Sequence, residues 1–517
     1  MLDESKLQRT VACLQGANQP CRHAFANEGR PASWKDHTLA NTEDAELPRQ
    51  QAGQYALPLP VGRQANVVYL NPQGHQAVLG TAGSGKTVMA IHRAAYLSDP
   101  QQPHAGRTLL VTYNKALTRY LQHLSAAVAE RVDVRTYHHV ARGYLHARGR
   151  FGQDVVTGAG TRRALIMQAV HHVQSRLGDA PIFSRSSHFF ADEMDWIYGR
   201  GLRTFEDYAP ASRLGRQEAL GPRNRQRVWA VFQEYQALRA GNARFGLYDW
   251  WQIPGVVREE LARDETPRIY RHVVIDEAQD LPPEAIRSLV ELVGPSGSVT
   301  MFADYAQQLY GQRSSFAASG LHIRRPERFN DNYRNSKRIA ELALALSRMP
   351  HFTDSADLVE PKSPAVEGTQ PTLFRGADRA AELQTVQDTA LDLGRTGSVA
   401  ILGPTLSAAK SFGPAKTRLR ELKEEANWHG GAGIFVGTYH SAKGLEFDAV
   451  ILPALDASAI PSRENVDAFG DDEARERDAR LLYVGVTRAR ADLLVTYTTE
   501  LTPLLPGPET GLWNVQS

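Results

Sequence analysis

The stretch that decides the fold is Gly80-Thr81-Ala82-Gly83-Ser84-Gly85-Lys86-Thr87. It fits the pattern G-x-x-x-x-G-K-[ST], in which backbone amides surround phosphate oxygens. The apolar run 77–79 precedes it and a helical pattern over 88–97 follows it, as the strand–loop–helix setting of this motif requires. We expect Lys86 to contact the outer phosphates of a nucleotide and the Thr87 hydroxyl to bind Mg²⁺.

A second stretch of the same character reads Val273-Val274-Ile275-Asp276-Glu277-Ala278-Gln279-Asp280. Its β-branched run predicts a buried strand, and two carboxylates follow at the carboxyl end, the edge where open α/β sheets bind ligands. A solvated acidic turn would read the same way in isolation, but the phosphate loop in the same chain favours nucleotide hydrolysis. We expect Asp276 to hold Mg²⁺ and Glu277 to orient and deprotonate an attacking water.

Short apolar runs bounded by glycine and polar residues recur outward from these two stretches. They fall into two sets separated by helical patterns, which predicts two α/β domains with parallel sheets covered on both faces. Between the strands of the first set, helical patterns over 162–177 and 223–239 predict a helical insertion. The apolar runs are 75–80, 108–112, 273–275, 299–302, 400–402, 434–437, 450–452 and 493–496.

The composition places the chain among soluble globular proteins. Its 517 residues, 42% hydrophobic and 22% charged, correspond to about three domain-sized units. The net charge of +2 excludes polybasic binding along the whole chain, although basic residues outnumber acidic ones over 61–150. Cys13 and Cys21 are the only cysteines, so a cysteine zinc site or disulfide framework is excluded beyond residue 21. Without a signal segment or membrane-length apolar run, we expect a cytoplasmic protein without membrane contact.

Further motifs, in chain order over most of residues 60–500, resemble those of superfamily 1 helicases of the UvrD/Rep-like family. They lie at 111–115, 135–139, 302–313, 332–334, 437–448 and 480–490. The resemblance implies an α/β fold with two RecA-like P-loop motor domains and a DNA-dependent ATPase or DNA helicase that uses ATP and Mg²⁺. The stretch between Arg334 and Thr438 is too short for the large insertion that many family members carry in the second motor domain, so a short form is expected.

The resemblance also predicts a domain organisation. Residues 1–58 are expected to form an N-terminal tail or accessory segment, and residues 146–260 the helical insertion subdomain. The first RecA-like motor domain then comprises 59–145 and 261–328, and the second comprises 329–517.

Residue roles at the nucleotide follow from the resemblance. Gln307 is similar to the glutamine that senses the terminal phosphate, and Arg334 and Arg488 to arginine fingers that reach it when the domains close. The predicted catalytic set is Lys86, Glu277, Gln307, Arg334 and Arg488, and the predicted metal ligands are Thr87 and Asp276. The predicted ATP contacts are Gly80, Thr81, Ala82, Gly83, Ser84, Gly85, Lys86, Thr87, Tyr333, Gly444 and Glu446.

Two positions at the nucleotide depart from the family pattern. Val88 stands where an arginine often covers one face of adenine, which leaves Tyr333 as the predicted stacking residue. Gln64, Gln73 and Gln76 remain alternatives for the glutamine that reads adenine, so the preference for ATP over other nucleotides stays open.

The polynucleotide contacts are predicted in the same way. Tyr113, Tyr137 and Tyr310 are candidates to stack on bases, and Arg313 follows Gln312, which stands where the family has an aromatic residue. The side chains expected to contact phosphates without reading sequence are Thr112, Asn114, Thr136, His138, Thr438 and His440.

The sequence therefore predicts an ATP-dependent translocase or helicase on single-stranded or partly duplex DNA, with 3′→5′ polarity implied by the resemblance. The alternative is a DNA-sensing UvrD-like ATPase subunit of a nuclease or anti-phage defence complex, without robust unwinding and with a nuclease subunit as partner. DNA against RNA, unwinding against translocation alone, and the role of residues 1–58 stay open at this point.

Overall fold

The computed structural model describes residues 60, 62–81, 83–112, 132–151, 156–213, 219–241, 246–304, 316–323, 325–329, 332, 335–352, 366–414, 419–422 and 431–517. These residues form two parallel sheets with helices on both faces and a separate helical cluster. Within these ranges no helix combines the length and the hydropathy that crossing a bilayer requires.

The first sheet has six strands, and every pairing in it is parallel. Along the sheet the order is β3-β2-β4-β5-β1-β6. The strands are β1 (Gln76–Gly80), β2 (Thr108–Thr112), β3 (Val132–Thr136), β4 (His272–Ile275), β5 (Ser298–Ala303) and β6 (Glu327–Phe329).

The second sheet has seven strands, again all parallel. Their order is β13-β7-β12-β11-β8-β10-β9. The strands are β7 (Thr372–Arg375), β8 (Ser398–Gly403), β9 (Leu419–Glu421), β10 (Gly433–Thr438), β11 (Phe447–Leu452), β12 (Ala489–Tyr497) and β13 (Asn514–Gln516).

The helices that follow or join these strands are numbered in chain order. They are α1 (Arg63–Val68), α2 (Lys86–Ser98), α3 (Tyr137–Ala147), α4 (Ala159–Leu177), α5 (Ser187–Arg200), α6 (Phe205–Tyr208), α7 (Pro222–Ala240), α8 (Ile253–Leu261), α9 (Pro283–Val293), α10 (Lys337–Ser347), α11 (Arg379–Leu393), α12 (Leu406–Ser411), α13 (Arg463–Phe469) and α14 (Asp471–Thr487).

The central strands are buried along their whole length, as all residues of β4, β5 and β8 show. Helices on both faces exclude water from both sides of a strand, so its sequence reads as a continuous apolar run rather than an alternation. The predicted α/β fold with two RecA-like, parallel-sheet domains is confirmed, and each of the eight apolar runs lies in a strand. The sequence patterns missed β3, whose burial alternates, and the short strands β6, β7, β9 and β13.

The helical insertion has its own core, formed by α4 to α7 around buried aromatic residues such as Trp196, Tyr208 and Tyr235. In contrast, α8 packs its apolar residues, including Ile253 and Val257, into the core beneath the first sheet. The packing therefore ends the helical cluster before the predicted residue 260. The other domain bounds stay predictions.

The helical insertion also contacts the second sheet domain. Arg477 on α14 forms an ion pair with Asp192 on α5, with 3.0 Å between Nη2 and Oδ2. Arg185 donates a hydrogen bond of 2.9 Å to the carbonyl oxygen of Ala468 on α13. The insertion therefore packs against α13 and α14 of the second domain.

Candidate nucleotide and nucleic-acid site

The loop 80–85 connects β1 to α2, and glycine is required at several of its positions. Gly83 and Gly85 have φ values of 76° and 78°, in the left-handed region that favours glycine. A Cβ atom at Gly80 would lie 2.5 Å from the Ser84 hydroxyl. The loop leads directly into the amino end of α2, where the helix dipole favours an anion.

Lys86 opens α2, and its ammonium group lies inside the loop. Nζ donates to the carbonyl oxygens of Gly80 and Thr81 at 3.0 and 2.7 Å. It also forms an ion pair with Asp304 at 3.3 Å, and both side chains are buried. The positive charge is therefore held at the mouth of the phosphate loop, directly beyond the end of β5.

Thr87 and Asp276 meet across the first sheet, as the predicted metal site requires. The Thr87 hydroxyl donates to Oδ2 of Asp276 at 2.9 Å. Burial raises the pKa of the Asp276 carboxyl, and the adjacent charge of Glu277 raises it further. Two negative groups side by side in a buried site favour a bound cation, and carboxylate and hydroxyl oxygens are ligands that Mg²⁺ accepts.

Three buried polar atoms at this point lack a hydrogen-bond partner among the residues that the structure describes. They are Oδ1 of Asp276 and the hydroxyl oxygens of Thr81 and Ser84. Buried polar atoms are almost always paired in folded proteins. Their orientation around the loop fits a nucleotide phosphate and its cation as the missing partners.

Glu277 has an unusual backbone, with φ 51° and ψ 40°. A non-glycine residue in this left-handed region is strained, and such strain occurs at functional sites. Burial by itself would raise the pKa of the Glu277 carboxyl. The charges of Lys443, Lys86 and Arg488 outweigh this effect and lower the pKa, so the group remains a carboxylate able to accept a proton.

The second sheet domain supplies two of these cations. Lys443 forms a buried ion pair with Asp280, with Nζ 2.7 and 2.8 Å from its two carboxylate oxygens. Arg488 follows the end of α14 and is fully buried. Its guanidinium donates to the carbonyl oxygens of Val484 and Leu445 at 3.0 and 3.3 Å.

Gly444 and Glu446 flank Leu445, the residue whose carbonyl oxygen holds Arg488. Gly444 has a φ of 79°, which gives the turn before β11 its left-handed bend. Of the predicted second-domain residues that the structure describes, Arg488 acts on the Glu277 carboxylate through its charge, and the roles of Gly444 and Glu446 stay predictions.

Of the three candidate glutamines, Gln64 lies beside the phosphate loop, and its reading of adenine stays a prediction. It lies on α1, is buried, and donates from its amide to the carbonyl oxygen of Ser84 at 3.0 Å. Gln73 is exposed and Gln76 begins β1. Arg93 on α2 holds the carboxyl end of α1 in place, because its guanidinium donates to the carbonyl oxygens of Val68 and Asn71 at 2.9 and 3.1 Å.

Several predicted site residues lie outside the described residues, and their placement stays a prediction. They are Ala82, Tyr113, Asn114, Gln307, Tyr310, Arg313, Tyr333 and Arg334.

The predicted phosphate contacts that are described lie at the carboxyl ends of strands. Thr112 and Thr136 are direct partners in the register of β2 and β3. Thr112 has a buried hydroxyl without a described partner, and Thr136 caps α3 by accepting from the amide of His139 at 3.3 Å. Both threonines therefore face the same edge of the first sheet.

In the second domain, Thr438 ends β10, and its hydroxyl accepts from the amide of Ser441 at 3.0 Å. Burial, followed by the charge of Lys443, lowers the pKa of His440 to about 4. His440 is therefore neutral at physiological pH and offers a hydrogen-bond donor without a charge.

The prediction that Tyr137 stacks on a base is wrong. Its side chain is 2% exposed and packs in the core beneath the first sheet. Its hydroxyl is hydrogen-bonded to that of Ser288 at 2.8 Å. The ring therefore anchors α3 in the core, whereas the following His138 is half-buried.

Trp250 is the exposed aromatic residue that the motif comparison missed. It is 39% exposed, and the His138 ring meets it edge to face with 5.0 Å between centroids. The Arg142 guanidinium lies 5.9 Å from the Trp250 ring centroid. The sequence shows this residue only as part of the pair Trp250-Trp251, in a stretch that the helical pattern assigns to the end of the insertion.

Trp250 stands on a rigid base. Asp249, 1% exposed, accepts from the Trp251 amide at 3.2 Å and from the Tyr235 hydroxyl at 2.8 Å. Arg162 forms an ion pair with the same carboxylate at 2.7 Å. A buried polar network with all of these contacts holds the short helical turn Trp250–Gln252 in place.

The excess of basic residues over 61–150 overstates the positive surface. Three of these arginines form ion pairs: Arg107 with Asp133, Arg148 with Asp264, and Arg150 with Glu260. Two of the acidic partners lie far away in the sequence, so a local count could not include them. Arg142 and Arg135 remain beside the edge that carries Thr136.

Two α/β domains with parallel sheets, a phosphate loop followed by a helix, and an acidic pair at the end of a central strand define a P-loop NTPase with two RecA-like domains. Family models agree: that of the UvrD/REP helicase N-terminal domain matches residues 62–319 and that of the UvrD-like helicase C-terminal domain matches 415–500. The chain belongs to the UvrD/Rep-like family of superfamily 1 helicases and is an enzyme of the ATP-dependent DNA helicase class.

The chain is similar to curated members of this family. It is 24% identical to the ATP-dependent DNA helicase UvrD2 of Mycobacterium tuberculosis H37Rv, over 85% of this chain and 79% of that protein. It is 45% identical to DNA helicase II of Escherichia coli K12, over 12% of this chain and 8% of that protein. The first similarity covers both sheet domains, whereas the second is confined to a short segment.

Proposed function

We propose that this chain is an ATP-dependent translocase on single-stranded DNA that hydrolyses ATP when its two RecA-like domains close. One observation carries the proposal: Lys443 of the second domain forms a buried ion pair at 2.7 Å with Asp280 of the first, three residues after Glu277. A hydrolytic site that needs residues of both domains can hydrolyse ATP only when the two domains are together. Opening and closing of the two domains along a strand is then a stepping movement.

The roles of the first-domain residues follow from their contacts. Thr87 and Asp276 would hold Mg²⁺, which would neutralise charge on the phosphates. Lys86 contacts the outer phosphates, and the loop amides of 80–85 hold the remaining oxygens. Glu277 accepts the proton of the attacking water, and its lowered pKa keeps it ready for that role.

The second-domain residues couple hydrolysis to closure. Arg488 is a trans-acting arginine, and its permanent charge and planar fork suit a phosphoryl group. The buried Lys443–Asp280 pair joins the two domains beside the catalytic carboxylate. Since one partner comes from each domain, the pair can form only when the two domains are together and is lost when they separate.

The decisive experiment compares ATP hydrolysis with single-stranded DNA, with RNA and without polymer. We expect single-stranded DNA to stimulate hydrolysis more than RNA, followed by displacement of a strand from duplexes that carry a 3′ tail but not a 5′ tail. Hydrolysis that no polymer stimulates would contradict the proposal, and displacement from a 5′ tail would contradict the polarity.

A second candidate is a DNA-sensing ATPase subunit of a nuclease or anti-phage complex. It is favoured by the short stretch between α10 and β10. The described strands and α-helices of this stretch belong to the second sheet and the helices that cover it, and not to a large insertion. The same experiment separates the two candidates: DNA-stimulated hydrolysis without strand displacement, together with a co-purifying nuclease, would favour the subunit.

The exposed Trp250 ring supplies a further expected result. Trp250→Ala should weaken binding of single-stranded DNA by about 10- to 100-fold, because one stacked base contributes about 1–3 kcal/mol. Trp250→Phe should keep most of the affinity. The measurement is fluorescence anisotropy with a labelled oligothymidylate and with an abasic oligomer of the same length.

Leu247→Ala is the matched control, since Leu247 is an exposed apolar residue, 54% accessible, three positions earlier. It should leave the affinity unchanged. An equal loss of affinity of Trp250→Ala for the abasic oligomer would contradict stacking.

A further inference from the structure

The side-chain amide of Gln279 makes a contact at each end. Gln279 lies in the turn Ala278–Asp280, two residues after Glu277, and is 3% exposed. Its Nε2 donates a short hydrogen bond to Oε2 of Glu277. Its Oε1 accepts from the backbone amide of Asp304 at 2.9 Å. The one side chain therefore connects the catalytic carboxylate to the residue that follows β5.

The contact with Glu277 is a directional one. Among the residues that the structure describes, no other side chain donates a hydrogen bond to the Glu277 carboxylate. Lys443, Lys86 and Arg488 act on it through their charges, which attract the carboxylate without setting its orientation.

The contact at the other end reaches the phosphate loop. The backbone amide of Asp304 donates to Gln279, and the side chain of Asp304 forms the ion pair with Lys86. Lys86 in turn donates to the loop carbonyl oxygens of Gly80 and Thr81. The end of β5, the loop lysine and the catalytic carboxylate are thus fixed relative to one another through a single amide.

We propose that Gln279 is a positioning residue for hydrolysis, whose amide fixes the Glu277 carboxylate relative to Asp304 and the phosphate loop. The inference rests on the proposed function, because it takes Glu277 as the group that accepts the proton from water. A general base acts only within hydrogen-bond reach of that proton, and misplacement by about 1 Å costs about 100-fold in rate.

The test replaces Gln279 with methionine, which has a similar length but neither donates nor accepts these hydrogen bonds. We expect kcat for DNA-stimulated ATP hydrolysis to fall by about 10- to 100-fold and KM for ATP to stay within about twofold. A rise in KM equal to the loss in kcat would overturn the inference, since it would indicate a collapsed binding site. An unchanged kcat would overturn it as well.

A double-mutant cycle separates positioning from general destabilisation. Combined with Glu277→Gln and measured as single-turnover hydrolysis, Gln279→Met should lower the rate no further, because the group that it positions is gone. Independent, multiplicative losses would overturn the inference. If Glu277→Gln alone leaves hydrolysis intact, the proposed function fails instead, so the two failures are distinguishable.

Gln236→Met is the matched control. The Gln236 amide, on α7 of the helical insertion, donates to the Tyr198 hydroxyl at 3.3 Å, and it should leave kcat unchanged. Where Gln279→Met does not fold, Gln279→Asn takes its place: its shorter amide cannot span both partners, and the same loss of kcat is expected. Full activity of Gln279→Asn would overturn the inference.

Discussion

Replacing Glu277 with glutamine is expected to lower DNA-stimulated ATP hydrolysis by about 10²–10⁴-fold, the usual contribution of a general base. The substitution keeps the size of the side chain and lets Gln279 remain beside it. It removes the group that accepts the proton from water. Nucleotide binding should be retained, because the phosphate loop, Lys86 and Thr87 are unchanged.

The measurement is single-turnover hydrolysis of labelled ATP at saturating DNA, together with equilibrium binding of a fluorescent nucleotide. Glu382→Gln serves as the matched control, since Glu382 is a fully buried carboxylate of the second domain that accepts from the Ala454 amide at 2.9 Å. It should hydrolyse ATP at the parental rate. Parental hydrolysis by Glu277→Gln would refute the assignment of the base.

The strand runs were readable from the sequence because both sheets are parallel and covered on both faces. Burial on two sides makes β5 and β8 apolar at every position or nearly so, which a single sequence displays directly. Strand β3 escaped the same reading because its residues alternate between buried and half-buried. The short edge strands β9 and β13 carry too few residues for any period to be visible.

The nucleotide site was equally readable wherever its residues are close in the sequence. In the loop 80–87 and in the pair Asp276-Glu277, the residues that predict nucleotide binding and hydrolysis are adjacent or only a few positions apart. The sequence could not predict that Gln64, and not Gln73 or Gln76, lies beside the loop, because this position depends on the packing of α1 against Ser84. The partner of Lys443 was hidden for the same reason, as it lies 163 positions away.

The nucleic-acid side was read less well because motif position does not give side-chain orientation. Tyr137 and His138 are neighbours, yet the first fills the core and the second meets Trp250. Trp250 belongs to a turn that is held by Asp249 and its ion pair with Arg162. The periodicity of a strand or helix predicts neither contact. Exposure and partnership of aromatic residues have to be read from the fold.

Replacing Arg488 with alanine is expected to lower ATP hydrolysis by about 10³–10⁵-fold, the range measured for arginine fingers in phosphoryl transfer. The charge of Arg488 acts on Glu277 across the domain boundary, so its loss removes a contribution that exists only in the closed arrangement. Nucleotide binding to the first domain should be retained, since the described contacts of the loop and of Lys86 lie within the first sheet domain. Arg488→Lys should recover only part of the rate, because a lysine keeps the charge but not the planar fork.

Arg488 is also fully buried, so its removal has a structural cost that must be separated from its catalytic one. In Arg488→Ala the carbonyl oxygen of Leu445 loses its Arg488 donor, at about 1–3 kcal/mol for a buried group left unpaired. The carbonyl oxygen of Val484 still accepts from the Thr487 hydroxyl at 3.1 Å. Arg480→Gln is the matched control, because Arg480 is a buried arginine of the same helix whose partner, Glu476, lies one turn earlier at 2.6 Å. If the thermal stabilities of Arg488→Ala and Arg480→Gln fall alike while only Arg488→Ala loses hydrolysis, the loss is catalytic. If both variants lose hydrolysis in proportion to stability, Arg488 is a structural residue and closure must deliver its positive charge through Lys443 instead.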